Sequence, residues 1–374
     1  MTSHGFRAGH AGGGDWESIA TSCLEQLGPC GEATLGFVYV TDLLADSLEP
    51  ILARLKQATG IADWVGTVGF GVCVGGKEYF NTPAMAVLAG AVPPDSYRIL
   101  PTIARPGEAL PGDLGEWAAE RRPVLGIVHG DPRNRYLPAI IDSLCDDTEC
   151  FLVGGLTASR NVFSQVAGGD IVEGGLSGVL LAREVGVATG LSQGCAPIGA
   201  VHDVTRAQDN VLYELNGRPA LDVFKEDIGE VLARNLERIG GYIHAALPIA
   251  GSDTADYLVR NVMGIDPGNG WLSIGERLQE GDKLLFVRRD GPSAFADLER
   301  MLGEVTGRAG EGGRAGLYYS CVARGPNMFA SDDQEMTAVA DALGAGVPVV
   351  GFYANGEISN NRLYGYTGVL TLIL

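Results

Sequence analysis

Four side chains able to do chemistry stand next to glycine or inside turn-forming sequence: Cys195, Cys321, Arg324 and Glu357. Arg324 follows the apolar run "GLYYSCVA" and precedes Gly325. A guanidinium at such a strand end can take a carboxylate with two parallel hydrogen bonds. Glu357 follows Asn355 and Gly356 at the end of "VPVVGFY" and can accept from an amine. Together the two suit a zwitterion such as an amino acid. The competing reading is structural: they pair with each other, or cap the helix that begins near Ser331. Cys195 in "QGCAPIG" and Cys321 near a strand end can wall a ligand pocket or sense redox state. A reactive thiolate there requires a neighbour such as Arg324 to lower its pKa. A small buried residue explains both cysteines as well. Thr157, Ser159 and Asn355 sit in the glycine loops "GGLTAS" and "GFYANGE", where their hydroxyl and amide groups can line the same cleft or simply form turns.

Five histidines occur, at 4, 10, 129, 202 and 244. A haem needs an axial ligand, usually histidine, and His202 and His129 are the candidates, the first in a loop-rich junction and the second at a strand end. The ordinary reading of each is a hydrogen-bonded core or surface residue. No Cys-x-x-Cys-His occurs, which excludes covalent haem of the c type. No histidine or cysteine pair has zinc-site spacing, so no metal is expected. There is no P-loop and no Gly-x-Ser-x-Gly elbow. "GTVGFGVCVGG" departs from Gly-x-Gly-x-x-Gly, and no helix follows it. A nucleophile at Cys195 or Cys321 needs a base, and His202 is the nearest in sequence. No catalytic residue is assigned, and an enzyme is the lesser expectation.

The elements that must position these residues recur. "GLYYSCVA" (316–323), "SDDQEMTAVADALG" (331–344), "VPVVGFY" (347–353) and "YGYTGVLTLIL" (364–374) read strand, helix, strand, strand. Ser331 and Gln334 have the spacing of a capping box, and Gly344 is a stop signal. The same order appears over 122–130, 136–145, 150–156 and 175–183, and again over 34–42, 44–60, 64–74 and 84–90. A fourth copy begins with a strand over 282–291 and a helix over 293–305. One-stripe helices alternating with fully apolar strands specify an α/β fold with mixed sheets. The expectation is two related domains, 1–190 and 191–374, with ligands beyond the carboxyl ends of strands.

The chain has 374 residues, enough for two domains. Its net charge is 27 − 46 = −19, which opposes sequence-independent binding to nucleic acid or an anionic membrane. No apolar run reaches the roughly 18 residues of a membrane helix, and the N-terminus lacks the apolar segment of a signal peptide. Seven cysteines without framework spacing fit reduced thiols. A cytoplasmic protein is expected.

Residues 191–224, "LSQGCAPIGAVHDVTRAQDNVLYELNGRPALDVF", resemble the junction between the N- and C-terminal modules of FIST domain proteins. "YYSCVARG" (318–325) and "GFYANGEISNNRLYGYTGVL" (351–370) resemble the signatures of the C-terminal module. "FLVGGLTAS" and "GGLSGVLL" resemble the N-terminal one. Cys195, Cys321, Arg324 and Glu357 fall in these segments. The resemblance implies a sensory domain of signal transduction that binds a small polar, amino-acid-like ligand without chemistry on it. It also implies alternatives: a haem-dependent nitric oxide sensor acting on a histidine kinase, or a recognition module like that of an F-box ubiquitin ligase. A thiol enzyme acting on a small carboxylate or amide is a further possibility from the residues themselves. A signalling partner or a homo-oligomer would carry the output.

Overall fold

The computed structural model describes residues 5–249 and 256–374, so that His4 lies outside the described residues. The chain divides into two compact units, one of residues up to 192 with 298–374, the other of residues 193–297.

The first unit is built three times on one plan. The first module runs strand Arg7–Gly12, helix Trp16–Leu27, strand Leu35–Thr41, helix Leu48–Thr59, strand Asp63–Gly69, a hairpin over 71–80, and a return strand Ala84–Gly90. The second runs Tyr97–Ile103, Gly112–Arg121, Pro123–Gly130, Leu137–Thr148, Phe151–Leu156, a hairpin over 165–172, and Leu176–Ala182. The third begins with Val187–Ser192 and resumes, after the second unit, with helix Gly291–Ala309. Strand Ala315–Cys321, helix Gln334–Leu343, strand Val349–Ala354, a hairpin over 357–364 and Gly368–Ile373 complete it. In every module the two strands around the second helix are parallel neighbours, and the return strand pairs antiparallel with the first of them.

Local sequence explains the elements. "LGFVYVT" is rich in β-branched and aromatic residues, and all seven are buried. The helix that follows presents Leu48, Ile51, Leu52 and Leu55 as one apolar stripe and stops at Gly60, whose φ of 75° is left-handed. Three glycines hold equivalent places on the second parallel strands. A β-carbon on Gly66, Gly154 or Gly351 would lie 1.7, 1.8 or 1.6 Å from the carbonyl oxygen of Val38, Val128 or Tyr318. Only glycine lets the two strands approach so closely.

The hairpins are exchanged. The hairpin of the first module joins the sheet of the third, that of the third joins the second, and that of the second joins the first. The inner faces of the three sheets share one core, in which Tyr39, Val153 and Phe352 belong to different sheets. Helices cover the outer faces of the first two sheets through separate clusters.

The second unit is antiparallel. Strands Cys195–Gln208, Lys283–Arg289, Ile243–Pro248, Tyr257–Asp266, Trp271–Ile274 and Val211–Leu215 pair in that order, and the last pairs back to the first. Helix Ala220–Ala233 packs Leu221, Phe224 and Ile228 into this barrel's core. Gly229, at φ 79°, breaks the helix.

The α/β fold with recurring strand-helix-strand-strand units is as the sequence suggests. Their distribution differs: all three copies lie in one compact unit rather than in two related halves. The expected start of a second domain at 191 is two residues from the observed 193, but the chain returns to the first unit after 297. The fourth copy does not exist, because strand Lys283–Arg289 belongs to the barrel and the following helix serves the third module. The single strand expected over 64–74 is two strands in different sheets. The capping box is half formed. Gln334 Oε1 accepts from the Ser331 amide at 3.3 Å, but the helix starts at Gln334 after Asp333, not after Ser331.

Candidate functional site

In the third module, strand Ala315–Cys321 ends and the chain turns through residues 322–333 before its helix. Arg324 lies in that turn and is fully buried. Its Nε donates to Glu335 Oε1 at 2.7 Å, and its Nη2 to Ser192 Oγ at 3.3 Å. The guanidinium carbon stands 5.3 Å from the Phe329 ring centroid. Glu335, the second residue of the helix, also accepts from Tyr318 Oη at 2.7 Å, from Ser320 Oγ at 3.0 and 3.1 Å, and from the Gly325 amide at 3.2 Å. Burial works against the Arg324 charge, but Glu335, with Tyr318 and Glu357, outweighs it and holds the proton on.

Glu357 opens the hairpin next to this loop and is also fully buried. Its Oε2 accepts from the Thr367 hydroxyl at 2.7 Å and the Thr367 amide at 3.1 Å. Burial lifts its pKa to about 8 against the opposing pull of Thr367 and Arg324. A third carboxylate enters from the exchanged hairpin of the first module. Glu78 Oε1 accepts from the Met336 amide at 3.2 Å, and its pKa is raised to about 7, first by burial and then by Glu335. Glu335 and Glu357 therefore act on the guanidinium, Glu78 acts on Glu335, and both Glu357 and Glu78 hold protons near neutrality. Two atoms of the cluster have no hydrogen-bond partner: Arg324 Nη1 and Glu357 Oε1.

Arg324, Glu357 and Cys321 are thus brought together, and the electrostatic coupling of Arg324 to Glu357 is direct. Their principal partners differ from the sequence reading. Arg324 pairs with Glu335, and Glu357 with Thr367. The Cys321 thiol is pushed well up, by burial first and then by the Glu357 charge, so Arg324 does not activate it. Sequence reasoning missed Glu335, Glu78, Tyr318 and Ser320. An acid in the first turn of a helix was a visible signal for Glu335. Glu78 had none, because it arrives on a hairpin from another module.

The remaining candidates make local contacts of their own. Thr157 shares a buried hydroxyl pair with Thr67 at 2.7 Å. Ser159 Oγ accepts from the amides of Asn161 and Val162, which is plain turn chemistry. The Asn355 side chain is exposed. Cys195 is buried in the second unit, where its carbonyl accepts from the Tyr257 hydroxyl.

His202 offers no open axial nitrogen, and the one unpartnered ring nitrogen of His129, Nδ1, is sealed inside the core. His202, in the second unit, engages Asp227 Oδ2 through Nε2 at 2.7 Å and Asn216 Nδ2 through Nδ1 at 2.9 Å. That arrangement also removes it as a free base. His129 is fully buried where the three sheets meet, with Nε2 3.3 Å from Tyr39 Oη. The rings of Tyr39, Tyr319 and Phe352 enclose it at 5.5, 6.2 and 5.7 Å. Burial lowers its pKa to about 3, so it is neutral. These residues do not fit the axial site of a haem.

The FIST N domain matches residues 34–218 and the FIST C domain residues 220–360. An uncharacterized protein of Mycobacterium tuberculosis (strain CDC 1551 / Oshkosh) is 31% identical over 366 residues, covering 92% of this chain and 91% of its own length. One of Mycobacterium bovis is 29% identical over 362 residues, covering 91% and 89%. The chain belongs to the FIST family, whose domains are associated with sensory signal transduction.

Proposed function

We propose that the protein senses a small polar molecule, amino-acid-like in chemistry, at the Arg324–Glu335–Glu357 cluster, and that it does so without transforming it. One observation carries this reading. A fully buried guanidinium and a fully buried carboxylate each keep one polar atom without a partner. Such atoms are costly unless something satisfies them, and a ligand bearing both an acceptor and a donor would satisfy both. The raised thiol of Cys321 and the engaged nitrogens of His202 support a binding role over thiol catalysis. Output in this reading passes to a signalling partner, a histidine kinase being the first candidate, or to a second copy of the chain. The setting is the cytoplasm, which the seven free thiols favour. Haem has no part in it, and the purified protein is expected to show no Soret band.

Calorimetric titration with a panel of free L-amino acids tests the reading. Saturable binding of at least one is expected, weakened roughly 30-fold or more in Glu357→Gln, since a ligand ammonium would take the place of the Glu357 proton and form a buried charged contact, worth about 2–5 kcal/mol, that the amide cannot make. Binding by none of the panel, or binding indifferent to Glu357→Gln, would overturn it.

A further inference from the structure

The three exchanged hairpins end in two-residue turns: Gly75-Gly76, Gly168-Gly169 and Asn360-Asn361. Each hairpin pairs with the second parallel strand of its receiving module, and its turn comes near that module's second helix. In the first module a lysine bridges the approach and supplies a cation there, beside a cleft of about 730 Å³ that Lys56 and Gly169 help to line. Lys56, ninth in the twelve-residue helix Leu48–Thr59, donates its Nζ to the Gly169 carbonyl at 3.5 Å. In the third module small residues close it, and a β-carbon on Gly76 would lie 3.6 Å from the Ala340 methyl.

The second module is different. Its helix Leu137–Thr148 also has twelve residues, and the ninth is Cys145. A cysteine is too short to bridge and offers no cation. A cleft of about 620 Å³ opens here, lined by Cys145, Asn361, Arg122, Arg183, Asp146 and Glu149 among others, within the range of small-molecule sites. Asn361 donates its Nδ2 to Asp142 at 3.0 Å, while its buried Oδ1 has no donor. Arg122 and Arg183 flank the paired residues Pro123 and Ala182, so they are neighbours at one end of two adjacent strands. Among the described residues neither guanidinium takes part in an ion pair or side-chain hydrogen bond. Both thiols of the lining are kept neutral, burial pushing Cys145 to about 12 and Cys150 to about 11.

We propose that this cleft is a second binding site, for a dipolar molecule with an amino group at one end and an acidic group at the other. The amino group takes the place that the lysine Nζ takes in the first module, donating to Asn361 Oδ1 beside Asp146 and Glu149. The acidic group reaches Arg122 and Arg183, and the aliphatic spacer crosses the neutral thiol wall. The site is separate from the Arg324 cluster.

The probe is 6-aminohexanoate, with hexanoate and hexylamine as controls that each lack one end. NMR titration of the whole chain, read at the Asn361 side-chain amide, should show saturable shifts with the probe and at least about tenfold weaker binding of either control, the loss expected when a charged contact worth roughly 1.4 kcal/mol is removed. Cys145→Lys should rebuild the lysine bridge and abolish the shifts while leaving the melting temperature at or above that of the parent. Arg183→Gln should weaken the probe but not hexylamine. No saturable shift at Asn361, equal binding of probe and controls, or full binding by a folded Cys145→Lys variant would overturn the proposal.

Discussion

At the scale of single residues, burial decides what the charged signatures can do. A loop-end arginine would be removable if it faced water, but Arg324 is enclosed and is the counter-charge of Glu335 and Glu357. Arg324→Ala should therefore destabilise the fold by about 3–5 kcal/mol, because it leaves Glu335 buried without its counter-charge. Urea unfolding measures this, and a loss below about 1 kcal/mol would contradict it. The carboxylates also set a pH dependence. Glu357 and Glu78 have folded pKa values near 8 and 7, both raised by burial above their usual 4.5. The folded state binds these protons more tightly. Their contribution is fully present below about 4.5 and is lost as pH rises towards 7 and 8, at up to about 1.4 kcal/mol per pH unit for each group. Glu357→Gln should flatten this decline between about pH 4.5 and 8. His129 acts in the opposite sense. Its folded pKa near 3 lies below the ordinary 6.5, so stability falls as pH drops through that window. His129→Phe should remove that acid-side slope in urea titrations run from pH 4 to 7.

At the scale of elements, the close approach of two parallel strands at one glycine is the recurring device. Gly351→Ala would place a methyl 1.6 Å from the Tyr318 carbonyl, and the backbone on both sides is fixed by pairing. The cost should reach the top of the roughly 1–3 kcal/mol range for overpacking, or exceed it. Gly313→Ala, whose nearest neighbour would be 3.7 Å away, is the matched control and should be nearly silent. Thermal melts of the pair separate the two outcomes. The helices were legible from their stripes and stops, as Leu48–Thr59 with Gly60 shows. The chain's passage from one sheet to another at Phe70 was not, because "GTVGFGVCV" keeps the same apolar character on both sides of the break.

At the scale of the whole molecule, the inserted unit begins and ends at one place. The Gln193 amide donates to Asp297 Oδ2 at 2.6 Å, so its two ends are adjacent, the usual geometry of a domain that an enclosing fold tolerates. Residues 193–297 expressed alone should therefore unfold cooperatively with a β-rich circular dichroism spectrum, and a non-cooperative melt would refute this. The sequence by itself determined the α/β class, the order of strands and helices in each copy, and the segments that carry Cys321, Arg324 and Glu357. Those are local properties, written in periodicity, glycine placement and stop signals. Only the tertiary structure decided that the copies number three, that their hairpins are exchanged, and that Glu78 reaches the Arg324 cluster from a different module. Strand pairing between distant segments depends on which edges meet in space, and a short apolar run carries no record of its partner. For the same reason Arg324 looked like a surface clamp beside Gly325, while its place in the fold made it the centre of a buried charge cluster.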